Sequence, residues 1–253
     1  MGIFKRARPA ELPADWEDQV ADVVTGWWDL SVGDRTRLRE LSARLIGEKR
    51  WEAARGFELT DQVRYVIAAQ ACLLILGLDF EHFRKVRTII VHASTQVLEG
   101  ERAAGAQGLA TSEPLPILGQ AAHEDGPVSI AWDEAARNAR HPERGFDVVF
   151  HEFAHKLDML DGVVDGTPPL EGTEQLARWV EVCTEEFEAL REGRGASVLW
   201  DYAAVNPGEF FAVATEVFFA QPRKLQHVRP ELYGVLAAFY RQDPAERARL
   251  AGR

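Results

Sequence analysis

The sequence is poor in cysteine and in basic residues relative to acidic ones. Only two cysteines, Cys72 and Cys183, occur in 253 residues, which excludes a disulfide framework and favours a reducing compartment. Lys and Arg total 29 against 40 Asp and Glu, a net charge of -11. Because contacts to phosphate groups need clustered cations, we expect no nucleic-acid partner.

Long apolar runs are also missing. The longest, around residues 66–78, contains Gln70 and is too short to span a bilayer. The basic start Met1–Pro9 has no apolar stretch behind it, which argues against a secretory signal. We therefore expect no membrane association and a cytoplasmic protein.

Helical patterns dominate what is present. They predict helices over 15–55, 60–76, 133–140, 146–160, 173–192, 207–219 and 230–240, the last of the chain. Strands are predicted over 86–92 and 126–132, and Pro127 favours a sheet edge for the second because proline has no backbone N–H. The segment 99–126, rich in Gly, Ala, Glu and Pro, is predicted to be a long loop or lid.

Few strands and many irregularly placed helices predict an α+β fold, mostly helical with a small sheet. No break in composition marks a second domain. The chain is therefore predicted to be a single domain over 1–253, with a helical N-terminal part at 10–80 and a catalytic part at 86–240.

One motif carries clear chemistry: H-E-x-x-H at His151, Glu152 and His155. Residues i and i+4 share one face of a helix, so two imidazoles can bind one metal ion. Glu152 beside them can take a proton from water at the metal. The predicted helix is apolar nearly all round, which makes it a core helix. The alternative is a chance match, but two buried histidines and a glutamate would still need partners.

A catalytic zinc site needs a third protein ligand and an open position. Glu209 and Glu216 lie seven residues apart, on one face of an otherwise apolar predicted helix. Asn206, Pro207 and Glu209 also match a capping box, in which Glu209 would merely close the start of the helix. Glu216 could equally pair with an arginine or support a metal ligand. Spacing alone leaves the choice between the two glutamates open.

Several segments together resemble one known family. The residues His151–Asp158, Tyr202–Val213 and Glu216–Phe219 are similar to the Mlc titration factor A family of bacterial zinc peptidases. The similarity extends over most of the chain, including residues 55–58 and 126–128. The active-site pattern also resembles the catalytic domain of anthrax lethal factor, where a tyrosine is followed seven residues later by a glutamate.

The resemblance implies a zincin-like fold and one Zn²⁺ per chain, held by His151, His155 and Glu209. It implies that Glu152 acts as general base and then acid, and that Tyr202 lies near the metal and donates to the developing oxyanion. The implied reaction is the hydrolysis of peptide bonds by zinc-activated water, with aminopeptidase-like cleavage of short peptide substrates.

The same resemblance implies an alternative from another class. The family takes its name from sequestering a transcriptional repressor of sugar uptake, so the chain could be a regulatory binding protein. Its zinc site would then be secondary, or gated by segment 99–126.

Asp158, on the face of the two histidines, matches either a partner for a ligand imidazole or a plain helix-end carboxylate. The natural substrate and the oligomeric state stay open.

Overall fold

The computed structural model describes residues 8–54, 56–94, 126–194 and 198–252. The predicted lid at 99–126 therefore lies outside the described residues, apart from Gly126. Within them, no helix combines the length and apolar character needed to cross a membrane.

The described helices are α1 (Trp16–Ala21), α2 (Val32–Glu48), α3 (Asp61–Leu74), α4 (Trp132–Arg140), α5 (Val148–Asp158), α6 (Gly172–Arg191), α7 (Pro207–Ala220), α8 (Pro222–Val228), α9 (Pro230–Tyr240) and α10 (Pro244–Leu250).

Three strands form a small parallel sheet in the order β1-β2-β3. They are β1 (Arg50–Ala53), β2 (Thr88–His92) and β3 (Val128–Ala131). Ile89 of β2 pairs with Trp51 on one side and with Val128 on the other. Among the described strands β3 lies at an edge, as the proline before it predicts. The mostly helical α+β architecture with a small sheet is confirmed.

Three details of the predicted elements were wrong. Residues 50–53 were assigned to the end of a helix, whereas α2 ends at Glu48 and the chain turns into β1. The residues of β1 carry no strand pattern of their own, and pairing with β2 determines their conformation. The short helices α8 and α10 were missed, so the predicted helix at 230–240 is not the last. Each of the two begins with a proline, whose missing N–H costs nothing in the first turn.

Gly77 lies where two segments of the backbone pass close to each other. It follows α3, which stops at Leu74. A Cβ at Gly77 would lie 2.5 Å from the carbonyl oxygen of Tyr240. Glycine is therefore required because the backbone at the end of α9 passes directly over this position.

Most of the core is one cluster of buried apolar side chains that extends from Trp16 to Ala245, and Val23, Val66, Ala136 and Ala139 form a second, smaller one. Helix α5 lies in its interior, where it contacts α3, α4, α7 and β3, and every residue of α5 is buried. The side chain of Asp147 caps this helix by accepting from the backbone N–H groups of Val149 and Phe150 at 2.9 and 3.0 Å. The fold thus supports the H-E-x-x-H segment from all sides.

Candidate metal centre

Helices α5 and α7 bring three potential ligand atoms together. The Nε2 atoms of His151 and His155 lie 3.2 Å apart. Glu209 Oε2 lies 3.1 Å from the first of these atoms and 3.4 Å from the second. The three residues form the His/His/Glu group that could hold a metal ion among the described residues.

The spacing of these atoms matches the size of a zinc ion. Tetrahedral zinc with bonds of about 2.0–2.1 Å holds its ligand atoms about 3.3–3.4 Å apart. The three measured separations, 3.1 to 3.4 Å, fall close to that range. The donor set of two imidazoles and one carboxylate is also one that zinc accepts. The residues present therefore fit a zinc ion.

Glu216 holds His151 from the opposite side of the ring. Its Oε1 lies 2.7 Å from Nδ1 of His151, and its Oε2 accepts from the backbone N–H of Asp147 at 2.7 Å. A carboxylate only accepts, so Nδ1 of His151 carries the proton. In the neutral ring Nε2 then presents a lone pair toward His155 and Glu209, as a metal ligand requires. The structure thus separates the two glutamates that spacing could not: Glu209 faces both imidazoles, and Glu216 supports one of them.

Sequence reasoning did not find the hydrogen bond between Gln70 and Asp147, which lies next to the contact of Asp147 with Glu216. The amide of Gln70, on α3, donates to Asp147 Oδ2 at 2.7 Å, and both side chains are buried. The only available signal was Asp147 itself, an aspartate directly before an apolar helix, which is a typical N-cap. Nothing in the sequence connects it with Gln70.

The charges of this cluster shift the affinity of its groups for protons. Burial alone would lower the pKa of His151, but the adjacent carboxylates of Glu209 and Glu216 outweigh it and raise the pKa to about 10. Burial alone would raise the pKa of Glu209, but the two imidazoles hold it well below its usual range. The cluster strongly favours positive charge beside the Glu209 carboxylate, which is also what a divalent cation would provide.

The cap of α7 explains the position of the Glu209 backbone but not the direction of its side chain. The side chain of Asn206 accepts from the backbone N–H of Glu209 at 2.9 Å, as predicted for the start of α7. The carboxylate of Glu209 points to the histidines instead of closing the reciprocal half of a capping box. The cap therefore fixes the backbone of Glu209 and leaves its side chain for the cluster.

Glu152 is completely buried beside the three potential ligands. Neither of its carboxylate oxygens has a hydrogen-bond partner among the described residues. Burial raises the pKa of Glu152, while the neighbouring imidazoles of His151 and His155 oppose the rise. A buried carboxylate with both oxygens unpaired is costly, and such a group is well prepared to receive a proton.

Tyr202 lies on the exposed side of the cluster, in a 3₁₀ turn, Asp201–Ala204, before α7. Its ring centroid is 6.1 Å from that of His151, and 36% of the residue is exposed. Burial of part of the ring raises the pKa of its phenol, and the negative charge of the nearby Glu209 carboxylate raises it further. The hydroxyl therefore stays protonated and able to donate.

Asp158 joins the site to the loop that follows α5. Its Oδ2 accepts from the backbone N–H of Gly166 at 3.0 Å, and the carbonyl of Gly166 accepts from the indole of Trp179 in α6. The described hydrogen bonds include none from Asp158 to a ligand imidazole. Burial raises the pKa of Asp158 to about 6. Its observed role is to position the loop.

Exposed apolar side chains occur in the loop after α5 and in the segment before α7. Val163 and Val164, in the loop after α5, are 54% and 51% exposed, and Val205, before α7, is 62% exposed. A methyl group of Val164 would lie 3.3 Å from a Cβ at Gly208, next to Glu209. Val164 thus places exposed apolar surface next to the residue that precedes Glu209.

Comparison with known proteins gives consistent matches over nearly the whole chain. The profile of the glucose-regulated metallo-peptidase M90 family matches residues 4–241. An uncharacterised protein of Synechocystis sp. is 33% identical over 237 residues, covering 92% of this chain and 86% of the relative. Mlc titration factor A of Klebsiella pneumoniae is 31% identical over 248 residues, covering 96% and 91%. Mlc titration factor A of Serratia proteamaculans is 31% identical over 244 residues, covering 94% and 90%.

These relatives confirm the resemblance to Mlc titration factor A proteins that the motifs indicated. The matched residues include both helices that carry the potential metal ligands. The chain belongs to the M90 family of glucose-regulated metallo-peptidases.

Proposed function

We propose that the protein is a cytoplasmic zinc peptidase in which His151, His155 and Glu209 hold one Zn²⁺ per chain. The observation that carries the proposal is the triangle of Nε2, Nε2 and Oε2 atoms with edges of 3.1 to 3.4 Å. When bound, zinc polarises a carbonyl group and makes water a better nucleophile near neutral pH. Three protein ligands leave a fourth position, which is typical of catalytic rather than structural zinc.

Glu152 is the proposed general base and acid. Its carboxylate takes the proton from the attacking water and later delivers it to the leaving amine. Its complete burial supports both steps, because the raised pKa makes the acid form easier to reach than it would be in water.

Tyr202 is the proposed oxyanion donor. Its protonated hydroxyl lies by Glu209, on the exposed side of the cluster. From there it can donate a hydrogen bond to a substrate oxygen as negative charge develops.

The proposed substrates are short peptides, cleaved in an aminopeptidase-like manner. An extended peptide could add to the edge strand β3, which contacts α5. The apolar side chains of Val163, Val164 and Val205 would line the approach on the Glu209 side. The preference for a free amino terminus is taken from the resemblance to the family.

The proposal is tested by replacing Glu152 with Gln. We expect the variant to bind about one equivalent of zinc and to lose hydrolysis of a small peptide panel by 100-fold or more, on the order of a general base's contribution. Metal analysis and release of free amine are measured on the same samples. Glu188→Gln, an exposed glutamate on α6, is the matched control and should keep both properties. Hydrolysis retained by the Glu152 variant would refute the assigned base.

The same panel separates the modes of cleavage. Each peptide is offered with a free and with an acetylated amino terminus. Cleavage of the free peptides alone supports an aminopeptidase. Equal cleavage of both forms contradicts it while leaving the zinc peptidase intact.

The second candidate is a regulatory binding protein that sequesters a transcriptional repressor of sugar uptake. It is supported by the relatives named Mlc titration factor A and by the exposed Val163, Val164 and Val205, since exposed apolar patches are typical of protein interfaces. Binding to an Mlc-type repressor is measured by calorimetry. Affinity that survives Glu152→Gln but falls with Val164→Ser and Val205→Ser supports the regulator, and absence of binding contradicts it.

A further inference from the structure

A cavity lies behind the start of α5, away from the three potential metal ligands. It has a volume of about 430 Å³ and is bounded by the 3₁₀ turn Trp27–Asp29, by α3, and by the end of α7 with α8 and α10. Pockets for small organic molecules commonly have volumes of about 300–1,000 Å³. The cavity is therefore large enough for such a molecule.

The walls of the cavity are mostly apolar, with a few polar groups at the inner end. Leu30, Leu73 and Phe150 contribute apolar surface, while Gln70, Asn138 and Asp147 contribute buried polar groups. An apolar wall with a small number of placed polar groups is the usual composition of a small-molecule site.

Two polar atoms in this lining lack partners among the described residues. They are the indole Nε1 of Trp27, a donor, and the amide Oε1 of Gln70, an acceptor. Both side chains line the cavity, and each is only 2% exposed. Because buried polar side-chain atoms almost always have a hydrogen-bond partner, the pair points to a ligand that both accepts and donates.

The charges of the cavity indicate an uncharged ligand. Both carboxylate oxygens of Asp147 already accept, one from Gln70 and one from backbone N–H groups of α5. Asp147 therefore offers no unused oxygen to a cation. The rest of the lining carries charges of both signs, with Asp29 and Glu143 against Arg223, Lys224 and Arg247, so no single charge on a ligand is favoured.

We propose that this cavity binds a small, uncharged, largely apolar molecule that carries an amide or hydroxyl group. The apolar body fills the space between α3, α7 and α10, and the polar group satisfies Gln70 Oε1 and Trp27 Nε1. Nothing in this step depends on metal binding or on peptide hydrolysis.

A chain of hydrogen bonds links the cavity to the candidate metal centre. Gln70 donates to Asp147, the backbone N–H of Asp147 donates to Glu216, and Glu216 holds Nδ1 of His151; each contact is 2.7 Å long. A ligand that binds Gln70 therefore acts on groups that orient His151. The resulting effect on zinc affinity rests on the proposed function, whereas binding itself does not.

Binding is tested by NMR on ¹⁵N-labelled full-length protein. The probes are benzamide, cyclohexanecarboxamide and benzyl alcohol, with benzoate as the charged comparison. The indole N–H resonance of Trp27 is assigned with Trp27→Phe. We expect a saturable shift of this resonance with at least one uncharged probe and none with benzoate. Absence of a saturable shift with all three uncharged probes overturns the proposal, because it indicates a cavity that holds water only.

Two variants that fill the cavity locate the binding. Ala69→Leu and Ala220→Leu place extra carbon atoms in its lining and should weaken probe binding about tenfold or more, on the order of 1.4 kcal/mol. Two leucine variants are used so that the test can still be made if one of them does not fold. Glu188→Gln is the matched control and should bind normally. Unchanged binding in the folded leucine variants overturns the assigned site.

The link to the metal centre has its own readout. Zinc affinity, measured by competition with a chelator, should change by about fivefold or more when the cavity is saturated. An unchanged affinity refutes the link and leaves the binding site intact. Failure to bind zinc at all refutes the proposed function, while the shift of Trp27 still tests the cavity.

Discussion

At the level of single residues, each oxygen of Glu216 has a separate partner. One holds Nδ1 of His151, and the other accepts from the backbone of Asp147, the residue that caps α5. Glu216 therefore fixes both the orientation of the imidazole and the start of the helix that carries it. Partners of this kind raise the basicity of a metal-binding imidazole and reduce its freedom to rotate.

Glu216→Gln should weaken zinc binding without unfolding the protein. A glutamine oxygen can still accept one hydrogen bond, but the negative charge next to His151 is lost. We expect the affinity for zinc to fall about 10- to 100-fold, measured by chelator competition. Glu188→Gln should leave it unchanged. An unaltered affinity in the Glu216 variant would show that His151 does not need this support.

Asp147→Asn should change how stability depends on pH. Burial, reinforced by Glu216, raises the pKa of Asp147 to about 7, compared with about 3.9 in an unfolded chain. The folded state therefore binds the proton more tightly, and its stability falls as the pH rises from about 4 to about 7. Asparagine carries no charge and can still cap the helix. If the side-chain amide of Gln70 turns over, its unpaired Oε1 can accept a hydrogen bond from the asparagine NH₂.

We expect the asparagine variant to be more stable than the parent at pH 8, by on the order of 2 kcal/mol. The difference should shrink toward pH 4. Urea unfolding of metal-free protein at several pH values measures it, and Asp18→Asn, an exposed position on α1, is the control. If the gain in the free energy of unfolding did not depend on pH, the ionisation of Asp147 could not be its cause.

At the level of elements, the junction of α5, α6 and α7 depends on Gly166. Its N–H donates to Asp158 of α5, its carbonyl accepts from Trp179 of α6, and a Cβ here would lie 2.3 Å from the carbonyl oxygen of Pro207 in α7. Its φ of +76° also favours glycine. The loop can join the three helices because this position has no side chain.

Gly166→Ala should destabilise the protein far more than Gly172→Ala. Both glycines have positive φ, +76° and +79°, but a Cβ at Gly172 meets nothing within 4 Å. The control therefore carries only the conformational cost, about 1–2 kcal/mol, and the steric clash with Pro207 is added at Gly166. Urea unfolding of both variants measures the difference. Equal losses of stability would show that the loop moves freely away from α7.

The sequence was most informative where local pattern and packing agree. Helices α5 and α7 were predictable because each has a cap residue, Asp147 or Asn206, directly before a long apolar segment. Strand β1 was not, because its conformation comes from pairing with β2 rather than from its own residues.

Within the candidate site, the H-E-x-x-H motif identified two of the three potential ligands. Spacing alone could not decide between Glu209 and Glu216, since both lie on the same face of α7. The family resemblance implied Glu209, and in the structure the placement of α5 distinguishes the two. The contact between Gln70 and Asp147 joins residues 77 positions apart, a distance over which no local pattern is informative.

At the level of the whole molecule, the core is continuous from α1 to α10, and the potential metal ligands join two helices in its centre. His151 and His155 come from α5, and Glu209 comes from α7. An ion bound by both helices would hold together segments that are distant in sequence. Binding energy of this kind adds directly to the free energy of unfolding.

Removal of metal should therefore lower the thermal stability. At a free zinc concentration 100 times Kd, the ion stabilises by about 2.7 kcal/mol, which for a chain of this size raises Tm by about 5–10 °C. Calorimetry before and after treatment with a chelator measures the change. Glu152→Gln should show the same shift, and His155→Ala should lose it. A Tm insensitive to chelation would contradict a zinc ion held between α5 and α7.

The position of Glu209 also has a consequence for how the protein is made. The ribosome synthesises both histidines well before α7, so a nascent chain that ends after α6 carries two of the three ligands and lacks the carboxylate. With two of the three proposed ligands, such a chain would hold zinc only loosely. If the site binds zinc as proposed, tight capture waits until α7 has left the exit tunnel and docked against α5, and loading with the ion is then one of the last steps of biogenesis.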